Sequence, residues 1–211
     1  MALQYDTIVC GPFQENCYLV FDDTTHQGIF VDPGAEPERL IRTAASKGVE
    51  IIGIYNTHGH IDHVGAVSVI KEKLDVPFAI HPDEQMVLES VPAQARLFGV
   101  SSIVVPTIDH LLSDGDRFNV GALEAKVIHT PGHSPGGVCF VFEDAVFVGD
   151  TLFAGSIGRS DLIGGSLSDL LTAIKSRLLT LEDDVVVLPG HGPATTIGEE
   201  RTHNPFLTGR F

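Results

Sequence analysis

Three histidines and one aspartate lie within six consecutive positions of the stretch NTHGHIDHVG, residues 56–65. They are His58, His60, Asp62 and His63, and they follow directly after the apolar run EIIGIY. Imidazole and carboxylate groups bind divalent metals such as zinc, iron and manganese. This spacing therefore predicts a metal site at the end of a buried strand.

Three further polar residues follow other apolar, strand-like runs. His133 comes after AKVIHTPG, Asp150 after AVFVG and His191 after VVVLPG. In layered α/β folds the carboxyl ends of strands line one crevice, so we expect all seven side chains to converge there. Seven groups exceed the capacity of one tetrahedral site. If Asp150 bridges two metals, the other residues form two sets of three: His58, His60 and His133, and Asp62, His63 and His191.

Each of these residues also has an ordinary explanation when it is considered alone. Asp62 would suit a helix N-cap, and Asp150 would suit a turn. A lone histidine such as His191 is most often a loop residue, but coincidence does not explain the whole set. A purely structural metal site is the remaining alternative, although such sites usually have four ligands and favour cysteine. The other five histidines are interpreted as residues without chemistry: His26, His81, His110, His129 and His203.

An alternation of strand-like and helix-like segments must position these groups. Short β-rich runs come first, at 5–10, 16–22 and 28–34, and they are separated by Gly, Pro, Asn and Asp. A helical pattern closed by Gly48 and a buried strand at 50–56 follow. The chain thus changes from a β pattern to an α/β pattern before the histidine cluster.

Apolar residues spaced three and four apart predict a helix that begins at or just before Val64. A helix around DEQMVLES and an irregular stretch from Val91 to Pro106 follow. Strands then resume, Ser166 caps another helix, and DVVVLPGHG is the last strand. Because strands followed by a helix occur twice, the pattern suits two sheets covered by outer helices.

Composition excludes several classes of protein. With 211 residues, 43% of them hydrophobic, the chain suits one domain over residues 1–211. The 28 acidic and 13 basic residues give a charge of -15, which argues against a nucleic-acid partner. No apolar run approaches the roughly 20 residues of a membrane-spanning helix, and the first 30 residues lack a signal-peptide core. We therefore expect a cytoplasmic protein with no membrane partner, whose oligomeric state stays open. Cys10, Cys17 and Cys139 lack CxxC spacing and are expected to be buried thiols.

The motif HGHIDH resembles the H-x-H-x-D-H motif of the metallo-β-lactamase superfamily. Within it the chain is similar to the glyoxalase II branch, the hydroxyacylglutathione hydrolases, in their short single-domain bacterial form. The resemblance implies an α/β fold, a four-layer αββα sandwich, with a dinuclear site held by the seven residues above. The matching segments run nearly end to end: QENCYLV (14–20), VDPG (31–34), THGHIDHVGA (57–66), HTPGHSPGG (129–137), GDTLFAGSIGRSDL (149–162), LPGHGPATTIGEER (188–201) and NPFL (204–207).

The resemblance also implies an activity, the one that serves methylglyoxal detoxification. It is the hydrolysis of a glutathione thioester of the S-lactoylglutathione type to a hydroxy acid and glutathione. A hydroxide that bridges two divalent metals would attack the carbonyl, and Asp62 would orient this hydroxide. Zinc is the first candidate metal, with iron and manganese as alternatives. A thiol with a pKa of about 8.5 to 9 leaves as a thiolate without an obligatory general acid.

The sequence departs from the longer glyoxalase II enzymes in two respects. A helical C-terminal extension contacts glutathione in those enzymes, whereas only 20 residues follow His191 here. They also place a lysine and then a tyrosine beyond the bridging aspartate, where this chain has Arg159 and Asp161. Arg159 could bind a substrate carboxylate through a bidentate pair, or it could form a structural salt bridge.

Two other functions stay open at this point. The persulfide dioxygenase branch is similar in fold and uses a single iron, which His58, His133 and Asp150 could hold. A hydrolase of another thioester, an ester or a lactone would use the same two-metal chemistry. The presence of all seven candidate ligands favours the dinuclear hydrolase.

Overall fold

The structure is a computed structural model that describes residues 3–100 and 103–209. Two six-stranded sheets form its centre. The first sheet contains, in both chain and spatial order, β1 (Leu3–Cys10), β2 (Glu15–Asp22), β3 (Gln27–Val31), β4 (Glu50–Tyr55), β5 (Phe78–Ile80) and β6 (His110–Leu111). The later strands are β7 (Arg117–Val120), β8 (Leu123–His129), β9 (Val138–Val141), β10 (Ala145–Gly149), β11 (Leu152–Phe153), β12 (Ser156–Ile157), β13 (Val186–Pro189) and β14 (Thr195–Thr196).

The second sheet has the order β7–β8–β9–β10–β13–β14, and β11 and β12 pair as a separate ribbon. In the first sheet β1, β2 and β3 are antiparallel neighbours, whereas β3 to β6 run parallel. In the second sheet the pair β10–β13 is parallel and the other pairs are antiparallel. The helices are α1 (Pro37–Ser46), α2 (Ile61–Val64), α3 (Val67–Leu74), α4 (Gln85–Phe98), α5 (Leu167–Ala173), α6 (Ile197–His203) and α7 (Pro205–Thr208).

Strand residues alternate between two separate apolar layers. On β2, Tyr18 and Val20 pack between the two sheets, whereas Leu19 packs against the helices that cover the first sheet. On β10, Phe147 packs between the sheets and Val146 packs against the helices of the second sheet. Because side chains point alternately to opposite faces of a strand, strands buried on both faces read as continuous apolar runs.

Helices cover the outer face of each sheet. Leu40 of α1, Ile70 of α3 and Leu88 of α4 belong to the apolar layer outside the first sheet. Leu170 of α5 and Ile197 of α6 belong to the layer outside the second. The order of layers is therefore helix, sheet, sheet, helix, and the expected four-layer αββα sandwich is confirmed.

The helix expected to begin at or just before Val64 is in fact two helices. α2 ends at Val64 and α3 begins at Val67. A side chain at Gly65 would place its Cβ 2.3 Å from the carbonyl oxygen of Gly34, so the VDPG turn passes too close for a continuous helix surface. The N–H of Ala66 instead donates to the carbonyl of Pro33 at 3.0 Å. The break lets the turn after β3 reach the histidine segment.

The prediction of an irregular stretch from Val91 to Pro106 is wrong for the first half of that stretch. α4 continues to Phe98 with Pro92 inside it, and it ends where Gly99 adopts a left-handed conformation. Buried Val91 and Ala95 extend the apolar face of the helix, so their packing offsets the hydrogen bond that proline removes. Residues 101 and 102 of that stretch lie outside the described residues.

Several smaller expectations can also be compared with the structure. Ser166 caps α5 as expected, since its hydroxyl accepts from the N–H of Asp169 at 3.3 Å. The strand ending near residue 189 is not the last one, because the two-residue strand β14 pairs with it. Cys10, Cys17 and Cys139 are buried free thiols. No helix within residues 3–100 and 103–209 combines the length and apolar character needed to cross a bilayer.

Candidate metal centre

The seven predicted site residues lie together at one end of the two sheets. His58 and His60 occupy the loop after β4, and Asp62 and His63 lie in the short helix α2 that follows it. His133 lies in the loop between β8 and β9. The remaining two residues lie at the ends of strands of the second sheet: Asp150 directly after β10, and His191 two residues after β13.

The first set of three brings imidazole nitrogens together. One ring nitrogen from each of His58, His60 and His133 lies within 4.8 Å of the others, and all three residues are buried. The Nδ1 of His60 and the Nε2 of His133 are 2.9 Å apart. This set combines one loop of the first sheet with one loop of the second.

The second set lies beside the first. Ligand atoms of Asp62, His63 and His191 also lie within 4.8 Å of one another, and His191 Nε2 is 3.3 Å from Asp62 Oδ2. The carboxylate of Asp150 lies between the two sets. Its Oδ1 is 3.5 Å from His63 Nε2, and its Oδ2 is 3.6 Å from His133 Nε2. The groups are therefore arranged as two sites that could share one carboxylate.

Hydrogen bonds outside the cluster determine which nitrogen of each ring carries its proton. The hydroxyl of Thr57 donates to Asp32 Oδ2 at 2.5 Å, so its oxygen accepts from Nδ1 of His58 at 3.0 Å. His63 Nδ1 donates to the same Asp32 oxygen at 3.1 Å. His133 Nδ1 donates to the carbonyl of Arg159 at 2.7 Å. In each ring the Nε2 lone pair is left facing the cluster, as in metal-binding histidines.

Several buried polar atoms of the cluster have no hydrogen-bond partner among the described residues. They are Nε2 of His58, Nε2 of His63 and Oδ1 of Asp150. A buried acceptor without a partner costs about 1–3 kcal/mol, so native proteins rarely leave one. Three such atoms from three elements, together with neutral imidazole and carboxylate chemistry, fit divalent cations such as zinc, iron or manganese.

The pKa values reflect burial and the two aspartates. Burial lowers the pKa of His58 and lowers that of His60 to about 3, so both rings are neutral near pH 7. Burial would also lower the pKa of His63, but the carboxylates of Asp150 and Asp62 outweigh it and raise that pKa to about 10. The negative potential that favours a proton on His63 would equally favour a bound cation.

Asp32 is a site residue that the sequence reasoning missed. It is buried at the end of β3, within the VDPG turn, where its carboxylate accepts from the backbone and side chain of Thr57 and from His63. It orients two histidines from behind the cluster. A signal was available, because Asp32 is another polar residue at the end of a buried strand.

Glu84 is a second residue that the sequence reasoning missed. It is 0% exposed, and its two oxygens accept from the N–H of Gly59 at 2.8 Å and of Gly136 at 2.7 Å. Gly59 lies between two cluster histidines, and Gly136 lies three residues after His133. One carboxylate thus joins the two loops that supply the first set, and nothing in the local sequence around Glu84 indicates this contact.

The loop that carries His191 is attached to the first sheet. The side-chain amide of Asn16 donates to the carbonyls of Pro189 and Gly192, both at 2.9 Å. The hydroxyl of Tyr18 donates to the Pro189 carbonyl at 2.6 Å. These bonds connect β2 to the end of β13 and fix the position of His191 relative to the histidine segment.

The cluster opens into a cavity of about 400 Å³. Phe13, Leu97, Phe98 and Ile163 line it, together with Arg159. The guanidinium of Arg159 makes a bidentate ion pair with the exposed carboxylate of Asp161, with both N–O distances at 2.8 Å. Arg159 therefore lies on the cavity wall, and its charge is paired with that of Asp161.

Another histidine pair lies outside this cluster. The rings of His81 and His129 stack with centroids 4.4 Å apart and planes 6° from parallel, and Asp83 lies beside them within ligand distance. In-plane lone pairs of parallel rings do not converge on a point between them. The structure therefore gives no reason to change the interpretation of His81 and His129 as residues without metal chemistry.

Comparison with known proteins identifies relatives over the whole described chain. A family model described as the metallo-β-lactamase superfamily matches residues 10–191. A protein of Aquifex aeolicus is 42% identical over 202 residues, which is 94% of both chains. The probable metallo-hydrolase YqgX of Bacillus subtilis is 40% identical and covers 94% of this chain and 95% of its own. The hydroxyacylglutathione hydrolase GloC of Haemophilus influenzae is 37% identical, covering 99% of this chain and 100% of its own.

Solved structures agree with this result. BLEG-1, a B3 metallo-β-lactamase, has a TM-score of 0.91 at 39% identity and covers 98% of this chain and 100% of its own. TTHA1623 in a di-iron-bound form has a TM-score of 0.87 at 41% identity, and it covers 96% of this chain and 100% of its own. ETHE1 from Myxococcus xanthus has a TM-score of 0.83 at 26% identity, and it covers 100% of this chain and 86% of its own.

Proposed function

The chain belongs to the metallo-β-lactamase superfamily of metal-dependent hydrolases, and we propose that it hydrolyses glutathione thioesters of the S-lactoylglutathione type. In this proposal the seven converging residues hold two divalent cations, with zinc as the first candidate. His58, His60 and His133 would hold one cation, Asp62, His63 and His191 would hold the other, and Asp150 would contribute its carboxylate to both.

One observation carries the two-metal proposal. The Asp150 carboxylate lies between the two sets, with one oxygen 3.5 Å from His63 Nε2 and the other 3.6 Å from His133 Nε2. Asp150 Oδ2 also lies 3.7 Å from His191 Nε2 of the second set, so this carboxylate is near ligand atoms of both sets and is suited to serving both sites. A site for a single cation would not require the second set of three ligands.

When bound, the cations would polarise the thioester carbonyl and supply a water that ionises near neutral pH. The residues of the chain provide the rest of the mechanism. Asp62 lies on the cavity wall, and its pKa is lowered because the neighbouring His63 and His191 outweigh the effect of burial. Its carboxylate therefore stays ionised, and it can accept a hydrogen bond from the attacking water and orient it.

Thioester cleavage also suits the proton donors that are present. A thiol with a pKa of about 8.5 to 9 can leave as a thiolate, whereas an amide nitrogen must be protonated before it leaves. In this proposal the cavity histidines His60, His133 and His191 are neutral metal ligands, so none of them serves as a general acid. The cavity is thus better suited to a thioester than to an amide.

The glutathione part of the proposal rests on two further points. The relative GloC of Haemophilus influenzae, 37% identical over the full length, is named a hydroxyacylglutathione hydrolase. Arg159 lies on the cavity wall as a bidentate donor, and it would contact a glutathione carboxylate in exchange for Asp161.

The test uses zinc-loaded protein and S-lactoylglutathione, with release of free thiol as the readout and the metal content measured in parallel. We expect two metals per chain and thiol release that falls at least 100-fold in His191→Ala. His203→Ala changes an exposed histidine far from the cluster and should keep full activity. Two bound metals without thiol release would refute the assignment of S-lactoylglutathione as a substrate and leave the fold unaffected.

The alternative is a mononuclear-iron persulfide dioxygenase that uses His58, His133 and Asp150. The similarity to TTHA1623 in a di-iron-bound form keeps iron among the candidate metals. One iron per chain together with oxygen uptake that depends on glutathione persulfide would favour this alternative. Turnover of other thioesters, esters or lactones in place of S-lactoylglutathione would support the hydrolase assignment and replace the proposed substrate.

A further inference from the structure

The wall of the cavity beside the cluster is mainly apolar. Leu97 and Ile163 line it, and they are 80% and 58% exposed. Phe98 also lines it and packs edge to face on Phe13, with ring centroids 5.1 Å apart. Apolar side chains left exposed around a concave site are typical of a binding surface for an apolar group.

Several polar side chains of the same wall already form hydrogen bonds or ion pairs with other groups of the protein. The Ser90 hydroxyl donates to the carbonyl of Val87 at 2.6 Å and accepts from the amide of Gln94 at 2.7 Å. The Gln94 oxygen accepts from the backbone N–H of Ile61 at 3.3 Å. Arg159 is paired with Asp161. A hydroxyl on the acyl group would therefore have to displace an existing bond in order to gain a partner outside the candidate metal ligands.

A thioester extends in two directions from its carbonyl. Arg159 is the single cation among the residues that line the described cavity, so the charged thiol portion has one place to bind on this wall. The acyl group is then left to the apolar surface formed by Phe13, Leu97, Phe98 and Ile163. The hydroxyl of a lactoyl group would find no free hydrogen-bond partner on that apolar surface. Each added methylene would be removed from water there, which favours binding.

We infer that the site selects thioesters by an apolar acyl chain of several carbons, in preference to the hydroxylated lactoyl group. The inference rests on the proposed thioester hydrolysis and names the acyl class that this same site takes. Leu97 and Ile163 are the residues that determine the specificity, because both line the cavity and are largely exposed there.

The experiment measures kcat/KM of the zinc-loaded protein for acetyl-, propionyl-, butyryl-, hexanoyl- and lactoyl-glutathione. Each value is divided by the rate of uncatalysed alkaline hydrolysis, which removes differences in carbonyl reactivity. We expect a rise of about fourfold per methylene until the surface is covered, the factor that corresponds to burial of one methylene. Propionyl should equal or exceed lactoyl, which has the same number of carbons.

Two variants and a matched control locate the effect. Leu97→Ser and Ile163→Ser should reduce the rise to about twofold per methylene or less. Met86 is another exposed apolar residue of α4, the helix that carries Leu97; it is 52% exposed and is not among the residues that line the cavity. Met86→Ser should therefore keep the wild-type rise in kcat/KM per methylene. Calorimetry with S-methyl- and S-hexylglutathione, which cannot be hydrolysed, should show the same dependence in Kd.

The outcomes separate this inference from the proposed function. Hydrolysis of S-lactoylglutathione with a flat acyl profile, or with lactoyl tenfold above propionyl, would overturn the inference and keep the function. The same acyl series on N-acetylcysteamine, an uncharged thiol, provides the converse case. A chain-length dependence there without cleavage of any glutathione ester would keep the inference and overturn the glutathione assignment. Cleavage of neither series would overturn both.

Discussion

Replacing Glu84 by alanine should weaken the fold and the first set of candidate metal ligands together. Its carboxylate is fully buried and accepts from the N–H of Gly59 and the N–H of Gly136, at 2.8 and 2.7 Å. Alanine would leave both N–H groups buried without an acceptor. At about 1–3 kcal/mol for each unsatisfied group, the free energy of unfolding should fall by roughly 2–6 kcal/mol. That is a large share of a typical domain stability of about 5–15 kcal/mol.

The effect on metal binding follows from the position of the two loops. Gly59 lies between His58 and His60, and Gly136 lies three residues after His133. Without the shared acceptor, the two loops lose the contact that fixes their separation. We expect zinc affinity to fall about 10–100-fold, as for other residues that orient metal ligands.

The assays are urea denaturation of the metal-free protein and zinc competition with a chromogenic chelator. Glu84→Gln should lose about half as much stability, because its amide offers one oxygen to the two N–H groups. Glu89→Ala is the matched control, since Glu89 is an exposed glutamate of α4 that binds only Gln85 among the described side chains. A change in Glu84→Ala no larger than in Glu89→Ala, in either assay, would refute the reasoning.

Further predictions concern individual residues and the bound metals. Asp32→Ala should lower zinc affinity about 10–100-fold in the same competition assay, because His63 and Thr57 lose their shared acceptor; unchanged affinity would contradict this role. The N–H of Ala122, followed by that of Thr24, lowers the pKa of Asp22 from 3.8 to about 2, so its carboxylate stabilises the fold above pH 3.8 and loses that effect as the pH falls toward 2. The urea midpoint of the wild type should consequently fall more between pH 4 and pH 2 than that of Asp22→Asn. Ser166→Ala should reduce the free energy of unfolding by about 1 kcal/mol in urea titration, through loss of the α5 cap. Removal of divalent metals by a chelator should lower the thermal midpoint, because binding to the folded state alone stabilises it; an unchanged midpoint would argue against bound metals.

The part of the centre that could be predicted from the sequence is the part that follows strand ends. His133, Asp150 and His191 each come after a continuous apolar run, and the structure brings all three to the histidine segment. The two buried faces of each central strand explain why those runs were readable, since an apolar residue is required at every position. The roles of the seven residues as metal ligands stay predictions, as does the single domain over residues 1–211.

The parts that could not be predicted depend on contacts between distant loops. Glu84 stands in a short 3-10 turn, and its importance arises only because two glycine-containing loops pass its carboxylate. The break between α2 and α3 depends on the approach of the VDPG turn to Gly65, although the helical pattern itself continues across it. The sequence predicts an irregular stretch from Val91, whereas α4 continues through Pro92 because Val91 and Ala95 are buried on its apolar face.

The bonds from Asn16 and Tyr18 to the end of β13 determine when the cluster can assemble during synthesis. Asn16 and its partner Pro189 are 173 positions apart, so β2 waits for nearly the whole chain before these bonds can form. Contacts of such long sequence separation form late, because closing the intervening chain costs entropy that only the finished packing offsets. His58, His60 and His63 are therefore synthesised well before His191. In the proposed two-metal site, the second cation would therefore bind only after the chain has been synthesised through His191.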